Sequence, residues 1–233
     1  VQKRKKKINW MKMIVKNNCL KFNGEIPCKP HKLENVHCED CPYFEPLKER
    51  ILIIKLGAAG DVIRTTPILR KLKEEFPQAE INWLTHSPEF VPESYVHNIL
   101  EWDPNTILWL QTREFDFLFN LDKDREAVSL AELIKAKTKK GFLTDDFGKC
   151  KPADKDSENK WLTGLFDDLN KQNTKSYPEE IFEMLGFSYH KEKYILELSA
   201  KRIDFDLPLN QRIIGLNTGC GTRWLTRLWG KEN

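Results

Sequence analysis

Residues Ile51–Arg70 read ILIIKLGAAGDVIRTTPILR. Ile51, Leu52, Ile53, Ile54 and Leu56 make a short, almost unbroken apolar run, the pattern of a central parallel strand covered on both faces. Gly57 and Gly60 follow, residues that let a backbone turn sharply and approach a ligand closely. Asp61 then falls where the carboxyl end of the strand meets the next helix. In open α/β sheets that edge is where ligands bind, so a carboxylate is expected at the mouth of a site.

An alternating order of strands and helices continues from there. Pro67–Phe76 is expected to be helical, with Thr66 as N-cap and Pro67 as first helical residue; alternatively the helix starts at Asp61 and Pro67 kinks it. Ile81–Thr85 predicts a second strand. His86–Asn98 reads as loop with one helical turn. Phe115–Leu121 (FDFLFNL) predicts a third strand ending at Asp122, and Arg125–Ala136 carries a helical stripe. Lys139–Leu143 predicts a strand with Gly141 inside it. Thr144–Asn159 reads as a surface excursion, Trp161–Leu169 and Glu179–Leu185 as helices, and Tyr194–Leu198 as a short strand. Arg212–Leu216 then starts a strand again, before Asn217-Thr-Gly-Cys-Gly-Thr-Arg-Trp224. The chain stops at Asn233, whereas a second domain of this kind needs ~100 residues or more. The expected organisation is a basic, Cys-rich extension over 1–50, a Rossmann-like domain over 51–198, a linker over 199–211 and the truncated start of a second domain over 212–233.

The chain has 233 residues, 31% charged and 40% hydrophobic, with a net charge of +3. That suits one or two globular domains. No apolar run approaches the ~18 residues of a membrane span, and no signal peptide is recognisable. Lys3 to Lys7 form a cationic block, either a solvated terminus or an attraction to an anionic membrane surface. Without interleaved aromatic residues it is poor evidence for nucleic acid, so no nucleic-acid partner is expected; a basic nucleic-acid-binding protein built around the cysteines is the third-ranked reading.

Four of the six cysteines, Cys19, Cys28, Cys38 and Cys41, are clustered. Cys38-Glu-Asp-Cys41 has a chelate spacing, and His31 and His37 stand nearby as substitutes. A structural zinc or iron–sulfur site, unligated thiols and disulfides all remain open readings. Cys150 and Cys220 are isolated.

The glycine loop does not match the familiar phosphate binders. A dinucleotide site wants G-x-G-x-x-G and an acid ~20 residues on, and a P-loop wants a lysine; Gly57-Ala-Ala-Gly60-Asp61 has neither. An acid there would also repel phosphate, so Asp61 suits a base or an acceptor for a sugar hydroxyl. Thr218, Gly219, Gly221, Thr222 and Arg223 are the opposite kind: N–H groups, hydroxyls and a guanidinium suited to a diphosphate. An acid in one domain facing an anion loop in the next is the logic of two-domain glycosyl transfer. A metal-stabilised α/β module that binds a sugar or nucleotide without catalysis is the alternative.

Several ordered segments then carry a family resemblance. Gly60-Asp61-Val62, Arg64-Thr65-Thr66-Pro67, Ala79–Thr85 after Phe76-Pro77, Phe115–Lys123 followed by Gly141-Phe142, and Leu216–Trp229 together resemble glycosyltransferase family nine, the heptosyltransferases. The resemblance implies a GT-B fold with the acceptor on the N-terminal domain and an ADP-sugar on the C-terminal one. It implies inverting transfer without a catalytic metal, onto a glycolipid or polysaccharide of the lipopolysaccharide type, in the cytoplasm or peripherally at the inner face of the membrane. Asp61 corresponds to the family's essential aspartate, proposed to take the proton of the attacking hydroxyl. Gly60, Arg64, Thr65 and Asp122 are the expected acceptor contacts. Thr218–Arg223 corresponds to the diphosphate loop, where Thr222 falls close to a lysine of the lipopolysaccharide enzymes and Arg223 is the substitute charge. The chain as it stands is expected to be an inactive fragment. Asp61 has a plainer reading as a helix N-terminal carboxylate, and Arg64 as a solvated helix residue.

Overall fold

The computed structural model describes residues 13–197 and 210–215. The chain divides into two units, Val1–Glu197 and Leu198–Asn233. In the first, six strands form one sheet in the order β3-β2-β1-β4-β5-β6. The strands are β1 (Arg50–Ile54), β2 (Glu80–Thr85), β3 (Asn98–Glu101), β4 (Glu114–Asn120), β5 (Lys135–Thr144) and β6 (Cys150–Pro152). β1 to β5 are parallel and β6 is antiparallel at one edge.

β1 is central, paired with β2 on one side and β4 on the other. Its side chains alternate between two fully buried layers, as the two-residue period of a strand requires. Ile51 and Ile53 pack with Val62, Ile68, Leu69 and Leu72, while Leu52, Ile54 and Leu56 pack with Leu110, Ala127, Leu130 and Ala131. The first set comes from α2 (Ala59–Thr65) and α3 (Ile68–Glu75), the second from α4 (Pro104–Gln111) and α5 (Arg125–Leu133). Each such side chain contributes roughly 1.5–3 kcal/mol on burial, and a strand dry on both faces explains the unbroken apolar run. Leaving β1 the chain moves outward to β2 and β3, then returns to β4 and β5 on the other side. The order therefore reverses between β1 and β4, and the carboxyl ends of those two strands frame the crevice expected of a doubly wound sheet.

Several expectations hold with shifted ends. The helix after β1 begins at Ala59, closer to the reading in which Asp61 starts it, and Pro67 separates it from α3. The helical turn within 86–98 is Pro88–Phe90. The strand around Gly141 starts earlier, at Lys135, and cuts the preceding helix back to Leu133. Trp161–Leu169 is not one helix but parts of two, α6 (Glu158–Thr163) and α7 (Asp167–Gln172), because the chain turns at Gly164. The helix expected at Glu179–Leu185 is α8 (Tyr177–Met184), opened by a capping box between Ser176 and Glu179. β3, α4 and β6 were not expected.

Two strands expected from sequence are absent from the described residues. Tyr194–Glu197 has no ladder partner; its backbone is tied instead by Ile195 N–H donating to the Thr66 hydroxyl at 2.8 Å. Residues 212–215 of the second unit likewise form no strand, and Ile213 and Ile214 are exposed there. A segment without a ladder partner, as at Tyr194–Glu197, is not held as a strand. Leu216 and the loop Thr218–Arg223 lie outside the described residues. No helix among those described is long and apolar enough to cross a membrane.

Candidate active site at the carboxyl ends of β1 and β4

Past Ile54 the chain stays buried through Lys55 and Leu56 and emerges at Gly57. A Cβ added at Gly57 or Gly60 would meet nothing within 4 Å. Packing against the protein therefore does not require glycine at either place, and both leave the backbone bare towards the crevice. Asp61 sits in the first turn of α2, whose preceding residue, Ala58, has no side chain with which to cap it. A carboxylate is favoured at a helix N-terminus. The side chain is 38% exposed and its Oδ1 lies 3.2 Å from Arg64 Nη1. The acid is thus open to an incoming molecule and braced from one side only.

Arg64 is held in turn. Its guanidinium lies 4.2 Å from the ring centroid of Tyr177, and the Lys160 ammonium lies 4.8 Å from the same centroid. Such cation–π contacts orient a cation as well as attract it. Lys160 also pairs with the buried Glu180 at 2.5 Å. Burial pushes the Tyr177 phenol well above its ordinary range, and the charge of Asp61 adds to this, with the Thr65 hydroxyl opposing. Tyr177 is therefore a neutral phenol beside the acid at any ordinary pH.

Of the expected acceptor contacts, Gly60 and Arg64 are exposed. Thr65 and Asp122 are turned into the protein. Thr65 is 1% exposed, and its hydroxyl donates to the Asp61 carbonyl at 2.7 Å. Asp122 is 6% exposed. One of its oxygens accepts from the Lys55 ammonium, and the other from the backbone N–H groups of Leu56 and, at 3.3 Å, Gly57. Lys55 also donates to the Gly57 carbonyl. Burial raises the Asp122 carboxyl, while Lys55 and the two amides pull it back. With both oxygens engaged, Asp122 fastens the loop that carries Asp61 rather than presenting itself to the crevice.

Lys55, Tyr177 and Lys160 went unread as site residues. Lys55 carried a signal: a lysine inside an otherwise apolar run needs a buried partner. Tyr177 and Lys160 carried none, because they arrive from a distant part of the chain.

In the extension, Cys19, Cys28, Cys38 and Cys41 are free thiols and partly buried. Among the described residues no three His, Cys, Asp or Glu side chains are gathered closely enough to hold an ion as they stand.

No family model matches the chain. It is 32% identical over 111 residues to the lipopolysaccharide core heptosyltransferase OpsX of Haemophilus influenzae, an alignment spanning 43% of this chain and 32% of that protein. The chain thus spans about a third of the length of the curated relative it matches. Among solved structures it is similar to E. coli heptosyltransferase WaaC with ADP (16% identity, TM-score 0.41, 62% of this chain and 50% of that one). It is also similar to a glycosyl transferase family 9 protein from Veillonella parvula (24% identity, TM-score 0.33, 39% and 31% of the two chains).

Proposed function

We propose, from this chain's likeness to the heptosyltransferases of glycosyltransferase family nine, that it is the acceptor-binding part of an inverting glycosyltransferase of lipopolysaccharide core assembly. Asp61 is the base. The acceptor hydroxyl oxygen attacks the anomeric carbon of a nucleotide-sugar. Its proton passes to the Asp61 carboxylate, the bond between that carbon and the diphosphate oxygen breaks, and the nucleoside diphosphate leaves with the electron pair. General-base assistance of this kind supplies typically 10²–10⁴-fold. The supporting observation is the partly exposed Asp61 carboxylate, just past the carboxyl end of β1 where the strand order reverses, on a helix whose entry loop is fastened by Asp122 and Lys55.

In this reading Gly60 and Arg64 meet the acceptor, Thr65 holds the helix that carries Asp61, and Asp122 acts as a positioning residue. Residues 51–198 form the acceptor domain, 199–211 the linker and 212–233 the opening of the donor domain. Thr218, Gly219, Gly221, Thr222 and Arg223 hold the diphosphate, and the donor is an ADP-sugar. A glycolipid acceptor brings the enzyme to the cytoplasmic face of a membrane, where Lys3 to Lys7 meet anionic headgroups.

The test is Asp61→Asn and Asp61→Ala in the full-length protein. Transfer should fall by about 10²–10⁴-fold with the circular dichroism spectrum unchanged. Turnover retained in both variants overturns the assignment.

A further inference from the structure

Residues 13–49 hold a defined path with almost no core. They form turns, the short helix α1 (Lys29–Glu34), a single 3-10 turn at Cys38–Asp40 and a bridge between Cys19 and Pro46. Yet Pro30 is the one buried residue among them, and Met13, Ile14, Val15, Ile26 and Leu33 are exposed. A segment of this size cannot offset its ordering entropy by burial, and segments below ~40 residues that stay ordered usually rely on disulfides, metals or association.

The cysteines are placed to supply what the core does not. Cys19, Cys28, Cys38 and Cys41 all line one cleft, walled otherwise by side chains that include Phe22, Pro30 and Phe44. Two of them open reverse turns, the carbonyls of Cys19 and Cys41 accepting from the N–H groups of Phe22 at 3.0 Å and Phe44 at 3.3 Å, and Cys28 is the N-cap of α1, its carbonyl accepting from Lys32 N–H at 3.0 Å. Each of these cysteines therefore stands at a corner of the chain, and the corners converge. Cys150 is elsewhere, packed against the core of the sheet. Neither His31 nor His37 lines this cleft, and His31 has its Nδ1 engaged with the Val36 carbonyl at 2.9 Å.

We propose that Cys19, Cys28, Cys38 and Cys41 are the four thiolate ligands of one structural metal centre that fixes residues 13–49. Four thiolates suit a soft metal, supplied either as a single zinc ion or as an iron–sulfur cluster. Each thiol gives up its proton on binding, and the sulfurs draw inward from their present spacing. The binding free energy then stands in for the core that the segment lacks. The centre has no part in the transfer chemistry, and its test is independent of Asp61.

The experiment is metal, sulfide and visible-absorption analysis of the 233-residue chain purified without oxygen, with thiols counted by a chromogenic disulfide reagent. The expected result is about one zinc per chain without sulfide, or about four irons with matching sulfide and a broad visible band. About four thiols should be protected until the metal is stripped. The double variant Cys38→Ser/Cys41→Ser should lose the metal and Cys150→Ala should keep it. If the double variant is insoluble, thiol protection in the unaltered chain decides. A chain that holds no metal as purified, and none after anaerobic reconstitution with zinc or with iron and sulfide, overturns the proposal. So does a chain whose thiols react equally with and without metal.

Discussion

Asp122, just past β4, and Lys55, just past β1, form a buried ion pair that holds the loop leading into the helix of Asp61. The same carboxylate takes the N–H groups of Leu56 and Gly57, and the same ammonium takes the Gly57 carbonyl. The two strand ends that frame the crevice are therefore locked to each other, and the loop leaves them in one direction. Such a pair gives little net stability, because desolvating both charges offsets their attraction, but breaking it leaves an uncompensated buried charge.

Asp122→Ala should accordingly destabilise the protein by about 3–5 kcal/mol, read as a lower urea midpoint with an unchanged slope. The double variant Lys55→Met/Asp122→Leu should recover most of that loss by removing both charges. Under the proposed function, transfer by the full-length protein should stay depressed in the double variant, since the loop amides have lost their acceptor. Full activity in the double variant would show that the pair does not position Asp61.

Arg64 touches Asp61 at 3.2 Å and rests on Tyr177. The pair is exposed, so its loss should leave the melting temperature nearly unchanged. Misaligning a reacting group costs rate steeply, and under the proposed function Arg64→Ala should lower kcat/KM of the full-length protein by about tenfold or more. Arg64→Lys should recover only part, because an ammonium does not reproduce the planar stack and the forked donor together. Steady-state kinetics beside thermal melts would separate the two effects, and wild-type kcat/KM in Arg64→Ala would remove the residue from the site.

What could be read from the sequence was what local pattern controls. The apolar run from Ile51 gave β1 and its central place, because only a strand covered on both faces carries no polar alternation. The same local reading put Asp61 past the glycine loop, where α2 begins. β3 went unread because Asn98–Glu101 is short and only partly buried. α4 went unread although Asp103 caps it and Pro104 opens it, since Ile107-Leu-Trp-Leu110 shows no polar face. The inward turn of Asp122 was out of reach altogether. A strand-end aspartate looks the same whether it faces a crevice or a lysine from another strand, and only the pairing of β1 with β4 brings Lys55 to it.

Gly141 has φ +92, and a Cβ there would stand 1.9 Å from the carbonyl oxygen of Asn120, its partner across β4 and β5. Its N–H also donates to the buried Ser157 hydroxyl at 3.1 Å. The collision is with backbone, so no side-chain rotation relieves it. Gly141→Ala should cost about 2 kcal/mol or more, measured by denaturant unfolding. A loss under about 0.5 kcal/mol, typical of a surface change, would mean that the strand does not take this path.

His97 gives the protein an acid-sensitive joint. Its Nδ1 accepts from Ile81 N–H at 3.1 Å, while the backbone N–H of His97 donates to the Ile81 carbonyl at 2.8 Å. The Nδ1 edge must be unprotonated to accept, and burial of that edge, followed by the nearby Lys73 charge, lowers the ring's pKa, with Glu80 and Glu45 opposing. Above the unfolded value of about 6.5 the ring is neutral in both states and stability is flat with pH. Below it the unfolded chain takes up a proton that the folded chain resists, so the unfolded state binds more protons and stability falls as pH falls towards the folded value. The outer edge of the residue is exposed, which keeps the effect modest. Urea midpoints from about pH 8 down to about pH 5 should drop more steeply for the wild type than for His97→Gln, whose side-chain carbonyl still accepts from Ile81 but does not titrate. Parallel curves would show that His97 protonates as freely in the folded protein as in the unfolded one.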